Sequence, residues 1–138
     1  VENIGRTPLI LAIENGDIES ITALLKNRVN VDLRDRRGET ALTLATKQNN
    51  APVVDLILNT AVVDVNVPDS LGTTPLMVAA EQGDTNTAKS LMEKGANIEA
   101  EDAQGRTAFF RAKLARQTQT MALLTAEGAR TTSNQWPY

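Results

Sequence analysis

Glu99, Glu101 and Asp102 crowd into one short stretch of the sequence. Carboxylates at this spacing are the raw material of general acid–base catalysis, and three of them can begin a calcium site. Either use needs more: a pocket closed to water, or further oxygen ligands. Without these the stretch is expected to be a solvated turn. Arg34, Arg36 and Arg37, interrupted by Asp35, form the densest basic cluster. A planar guanidinium holds carboxylates or phosphates through two parallel hydrogen bonds. The cluster is either an anchor for an acidic partner surface or a contribution to solubility. The chain has no histidine and no cysteine. Ser–His and Cys–His nucleophile systems, disulfides and zinc sites of the usual ligand sets are therefore ruled out. No glycine-rich phosphate loop of the Gly-x-Gly-x-x-Gly or Gly-x-x-x-x-Gly-Lys-Ser/Thr kind occurs. The residues predict a non-enzyme with no catalytic, cofactor or metal site.

The composition indicates what positions these side chains. Apolar residues make up 41% of the 138 and aromatics only 3%, so the core must be built from small and aliphatic groups. Thin, closely stacked layers suit that composition better than one thick core. The net charge of −3 gives no bulk electrostatic case for nucleic acid or an anionic membrane. No apolar run approaches the roughly 18 residues of a membrane span. The expected partner is another protein, without nucleic acid, membrane insertion or metal. The compartment stays open, with the cytoplasm as working expectation.

The sequence repeats itself. Gly5, Gly38, Gly72 and Gly105 are spaced at intervals of 33, 34 and 33. They are followed by Arg6-Thr7-Pro8-Leu9, Glu39-Thr40-Ala41-Leu42, Thr73-Thr74-Pro75-Leu76 and Arg106-Thr107-Ala108-Phe109, and then in register by Ala12, Ala45, Ala79 and Ala112. Threonine is a good helix N-cap and proline suits the first helical position. Leu9 with Ala12 and its counterparts share one helix face. Gly16, Asn49 and Gly83 are placed to end this first helix in the left-handed conformation.

A second helix follows, with apolar stripes Ile18-Ile21-Leu24-Leu25, Ala51-Val54-Ile57-Leu58, Thr85-Ala88-Leu91-Met92 and Thr118-Met121-Leu124-Thr125. Pro52 falls in its first turn, where it is tolerated. Met77, Met92 and Met121 are expected in the core. Gly95 and Gly128 end the second helix. Arg28 and the extra residue near Thr60-Ala61-Val62 predict irregular turns there. Polar connectors complete each unit, with an acid just ahead of the glycine, as in β-turns.

A repeat of about 33 residues with a turn, Thr-Pro-Leu and paired helices resembles the ankyrin repeat. The best copies are Thr7-Pro8-Leu9-Ile10-Leu11-Ala12 and Thr74-Pro75-Leu76-Met77-Val78-Ala79, and Gly95-Ala96-Asn97-Ile98 resembles the family's Gly-Ala-Asp-Val. The resemblance implies an all-α solenoid of helix-turn-helix layers with β-turn and extended connectors. The predicted units are about 5–37, 38–71, 72–104 and 105–130 in a single domain of residues 1–138, with a tail at 131–138. The family's common histidine after Thr-Pro-Leu is replaced by Ile10, Thr43, Met77 and Phe110, which implies a somewhat weaker stack. Arg111, Lys113 and Arg116 replace apolar or glycine residues of the earlier units, as an outer polar cap requires. No such cap marks the N-terminal end.

The resemblance also implies function: protein recognition through the connector tips and the exposed side of the first helices, on a concave face. Carried over by alignment, the contact positions are Arg6 in the first unit and Arg34, Arg36, Arg37, Glu39 and Lys47 around the second. The third supplies Ser70, Leu71, Thr73, Glu81 and Gln82, and the fourth Glu101, Gln104 and Arg106. Leu71 is predicted to be unusually exposed, by chance or for contact. Trp136 and Tyr138 are either an interface anchor or a tail folded over the last unit. The alternative role is an inhibitory or targeting segment of a larger protein or complex, catalytic or otherwise.

Overall fold

The computed structural model describes residues 7–60 and 63–129. Among them are eight α-helices and no strand: α1 Pro8–Asn15, α2 Ile18–Lys26, α3 Ala41–Lys47, α4 Ala51–Thr60, α5 Pro75–Gln82, α6 Thr85–Glu93, α7 Ala108–Leu114 and α8 Thr118–Ala126. Each odd helix packs against the even one after it. The first helices stack in the order α1, α3, α5, α7 and the second helices in the order α2, α4, α6, α8. Each layer therefore touches its neighbours, as in a solenoid.

The helix starts follow the sequence rule. Thr7, Thr40, Thr74 and Thr107 each accept, through the side-chain oxygen, the backbone N–H three residues on. At the former histidine positions, Ile10, Thr43, Met77 and Phe110 are almost completely buried. Two of them form local contacts of their own: Thr43 lies 3.3 Å from the Thr40 hydroxyl, and the Met77 sulfur 3.5 Å from the Thr74 N–H. Gly16, Asn49, Gly83 and Arg116 all take positive φ where the first helix ends. The second helices of the first and third repeats are capped by Asp17 and Asp84.

Two expectations need correction. The turn after α2 is regular. Arg28 sits at φ 58°, in the left-handed region that Gly95 and Gly128 also use. The closing bonds match as well: the Asn27, Lys94 and Glu127 N–H groups each reach the carbonyl four residues back. Ala61 and Val62 lie outside the described residues. The second-helix stripe is also out of phase at its start. Ile18 is 47% exposed, while Val53, Thr87 and Thr120, two positions further along the aligned helices, are buried. Helix–helix packing selects this position, and Thr87 enters the core because its hydroxyl donates to Asp84 at 2.7 Å. Met77 is buried, and Met92 and Met121 pack on the core from its edge.

The connectors form one frame three times. Asp35, Asp69 and Asp102 each accept two backbone N–H groups through Oδ1, from the residues two and four further on, at 2.8–3.0 Å. Gly38, Gly72 and Gly105 close the turns with φ between 77° and 79°. A Cβ on Gly38 would lie 2.8 Å from the Ser70 nitrogen, and one on Gly72 2.9 Å from that of Ala103. Successive turns are also bonded to each other: Ser70 N–H donates to the Arg37 carbonyl at 3.2 Å and Ala103 N–H to the Leu71 carbonyl at 3.0 Å. Gly38 and Gly72 are thus needed both for positive φ and for this close approach.

Candidate partner-binding surface

The connector tips and the exposed side of the first helices carry most of the predicted contact residues. Arg34, Arg36 and Arg37 are exposed, as are Ser70, Glu101 and Gln104. Leu71 is 67% exposed, the most exposed large apolar side chain among the described residues. The Ser70–Arg37 backbone bond places Leu71 beside the basic tip. Arg6, Trp136 and Tyr138 lie outside the described residues.

Glu39 and Thr73 are not surface contacts. Both are buried, at 3% and 4% exposure. The Glu39 carboxylate is paired with the Lys47 ammonium, which also lies 3.4 Å from Asp69. Burial opposes the charge on Lys47. The hydrogen bond and charge of Glu39, with those of Asp69, outweigh it and raise the ammonium above its ordinary value. Thr73 Oγ1 accepts from the Arg111 guanidinium at 2.7 Å. The alignment put both positions at a tip, but the side chain just after the turn glycine points inward here, toward a cation on a first helix.

Arg111 is the functional-looking residue that alignment misplaced. It was expected on an outer cap, yet its side chain is only 12% exposed and reaches back to the third repeat. It donates to Asp102 at 2.9 and 3.1 Å, to Glu81 at 2.9 Å and to Thr73. Arg106 adds a further bond to Asp102 at 3.0 Å. Burial alone would raise the Asp102 pKa. The Arg106 N–H, the Arg111 guanidinium, the Gln104 N–H and the Arg106 side chain outweigh it and hold the carboxyl below its ordinary value. Asp102 is therefore not part of a solvated acidic cluster with Glu99 and Glu101. One sequence signal pointed to this: Arg111 breaks the apolar register of Leu11, Leu44 and Val78.

Two glutamines bond back to the first helix of the preceding repeat: Gln82, at the end of α5, donates to the Lys47 carbonyl at 2.9 Å, and Gln117, at the N-cap of α8, to the Glu81 carbonyl at 3.0 Å. Beside Gln82 lies an open groove of about 450 Å³, lined in part by Lys47, Leu71, Glu81, Arg106 and Arg111. Its charges are already matched within the chain, so the groove is a shaped surface rather than a reactive centre. Among the described residues no three His, Cys, Asp or Glu side chains are grouped to hold a metal ion, and no helix is long and apolar enough to cross a membrane.

A family profile described as ankyrin repeats (3 copies) matches residues 1–69 and 53–135. Similar proteins include the poly [ADP-ribose] polymerase tankyrase of Caenorhabditis elegans, 39% identical over 71% of this chain and 4% of its own length. The potassium channel AKT2/3 of Arabidopsis thaliana is 30% identical over 91% of this chain and 15% of its own length. Dauer abnormal formation protein 25 of Caenorhabditis elegans is 33% identical over 78% of this chain and 28% of its own length. The chain thus spans less than a third of each of these relatives. The in-register helix pairs, the shared turn frame and the profile match agree: the chain belongs to the ankyrin repeat family.

Proposed function

We propose that this chain is a protein-binding module whose contact surface is the first-helix side and its connector tips. Ankyrin repeats are in general protein-interaction modules. The observation that carries the reading is Leu71, an apolar side chain 67% exposed whose neighbour Ser70 is bonded by backbone to Arg37, in a tip with three exposed arginines. An apolar anchor beside arginines is a common composition for the centre of a protein interface. Arg34, Arg36, Arg37, Ser70 and Leu71 form the centre of the contact. Lys47, Glu81, Gln82, Glu101, Gln104 and Arg106 border it, with Arg6 assigned by alignment alone. A second reading is that the module acts as a targeting or inhibitory segment within a larger protein. It is favoured by the small share of each relative that the chain covers.

The test begins by capturing and identifying a partner with the unmutated chain, then measures binding kinetics. Arg36→Glu with Arg37→Glu should slow association and reduce its dependence on salt, because exposed charge steers encounter. Leu71→Asp should mainly speed dissociation. Unaltered rates for both variants, together with loss of binding on mutating exposed positions of α4 and α6, would move the site to the opposite side.

A further inference from the structure

Leu71 and Leu114 are the two most exposed large apolar side chains among the described residues, at 67% and 56%. Leu114 ends α7 at the place that Glu14, Lys47 and Glu81 hold in the earlier first helices. The last repeat thus puts an apolar side chain where the others put an ionisable one. The two leucines face adjoining hollows. Leu71 lines the groove of about 450 Å³ described above, and Leu114 lines a second one of about 250 Å³. Glu81, Arg106 and Arg111 line both, so the hollows meet at the Arg111–Glu81 bridge. Charge is spread unevenly along this surface. In the hollows the cations are engaged within the chain: Lys47 with Glu39 and Asp69, Arg106 with Asp102, and Arg111 with Asp102 and Glu81. Beside Leu71, the second-repeat tip presents Arg34, Arg36 and Arg37 to water, with Asp35 the one acid among them.

We infer that this surface takes one acidic–apolar segment of a partner protein, with its carboxylates at the arginine tip and two apolar side chains on Leu71 and Leu114. This rests on the binding reading above and adds to it the second anchor, Leu114, and the partner's chemistry and direction. A carboxylate laid over the hollows would meet the Glu81 carboxylate, whose side chain is 54% exposed, beside cations that already have an acid. At the tip it meets guanidinium groups in water, whose planar fork fits it. A basic segment is repelled there. Apolar side chains over the hollows remove both leucines from water, which favours association.

The probe is a displayed library of random linear peptides, selected on the unmutated chain. The most enriched sequence is then synthesised and its Kd measured by fluorescence anisotropy. Enriched peptides should carry Asp or Glu at one end and two apolar side chains toward the other. Leu114→Ser and Leu71→Ser should each raise Kd about tenfold or more, as loss of a central apolar anchor does. Arg36→Glu with Arg37→Glu should weaken binding in low salt, and changing the peptide's acids to lysine should restore binding to that variant. Removing the peptide's far apolar side chain should make it insensitive to Leu114→Ser. All three variants should melt close to the parent, because the positions are exposed. Enrichment of basic or uncharged peptides, or no enrichment at all, overturns the inference. So does a peptide whose Kd depends on Leu71 and the arginines and not on Leu114, an outcome that leaves the binding reading standing. Both fall if the three variants bind like the parent while changes at exposed positions of α4 and α6 abolish binding.

Discussion

The turn at Asp35–Gly38 and the turn at Asp102–Gly105 share one backbone frame and use their arginines in opposite ways. Both aspartates accept the same two N–H groups, and both glycines sit near φ 77–78°. At the first turn the arginines point to water. The Arg37 side chain is 71% exposed and no nearer than 3.9 Å to the Glu39 carboxylate. At the last turn, Arg106 and Arg111 converge on an Asp102 side chain that is 1% exposed. The cause is the first helix behind each turn. α3 has Leu44 where α7 has Arg111, so only the later repeat can bring a guanidinium to the free carboxylate oxygen. One frame thus leaves its arginines in water at one turn and uses them for cohesion between repeats at the other.

The comparison breaks first if the shared frame is disturbed. Gly38→Val adds a β-branched side chain at φ 77° and places Cβ against the Ser70 backbone, which should cost about 4 kcal/mol in urea unfolding. A parent-like midpoint would mean that the two turns do not approach each other. Next come the aspartates. Asp102→Ala should cost about 3–4 kcal/mol, because it strands two arginines and two N–H groups. Asp35→Ala, which loses only the N–H contacts, should cost about 1–2 kcal/mol. Equal losses would remove the distinction.

Arg111→Met should cost about 2 kcal/mol and also change the response to acid. A carboxyl held below its ordinary value of 3.8 stabilises the fold at pH above that value, and the contribution is lost as pH falls through the folded-state value. Melting curves taken down to about pH 2 should therefore be less steep in acid for Arg111→Met than for the parent. For Lys47, raised above 10.5, the stabilisation is present below that pH and lost as pH rises through the folded-state value. The smallest effect belongs to the exposed tip: Arg36→Glu with Arg37→Glu should shift stability by no more than about 0.5 kcal/mol. A larger loss would show that the first turn, like the last, contributes to cohesion.

The sequence by itself determined the repeat, its frame and its helices. Periodic glycines, threonine caps and Leu-x-x-Ala spacing report local requirements of backbone conformation and capping, which each unit states on its own behalf. It also placed Leu71 and the arginines of the first turn in the open, since an exposed tip is a property of the turn. What only the tertiary structure decided was which polar side chains turn inward. Glu39, Thr73 and Arg111 read alike as polar surface in one dimension. Glu39 is buried against Lys47 of its own repeat, and Thr73 and Arg111 are buried against each other across two repeats. Neither meeting follows from the position of one residue in the repeat frame.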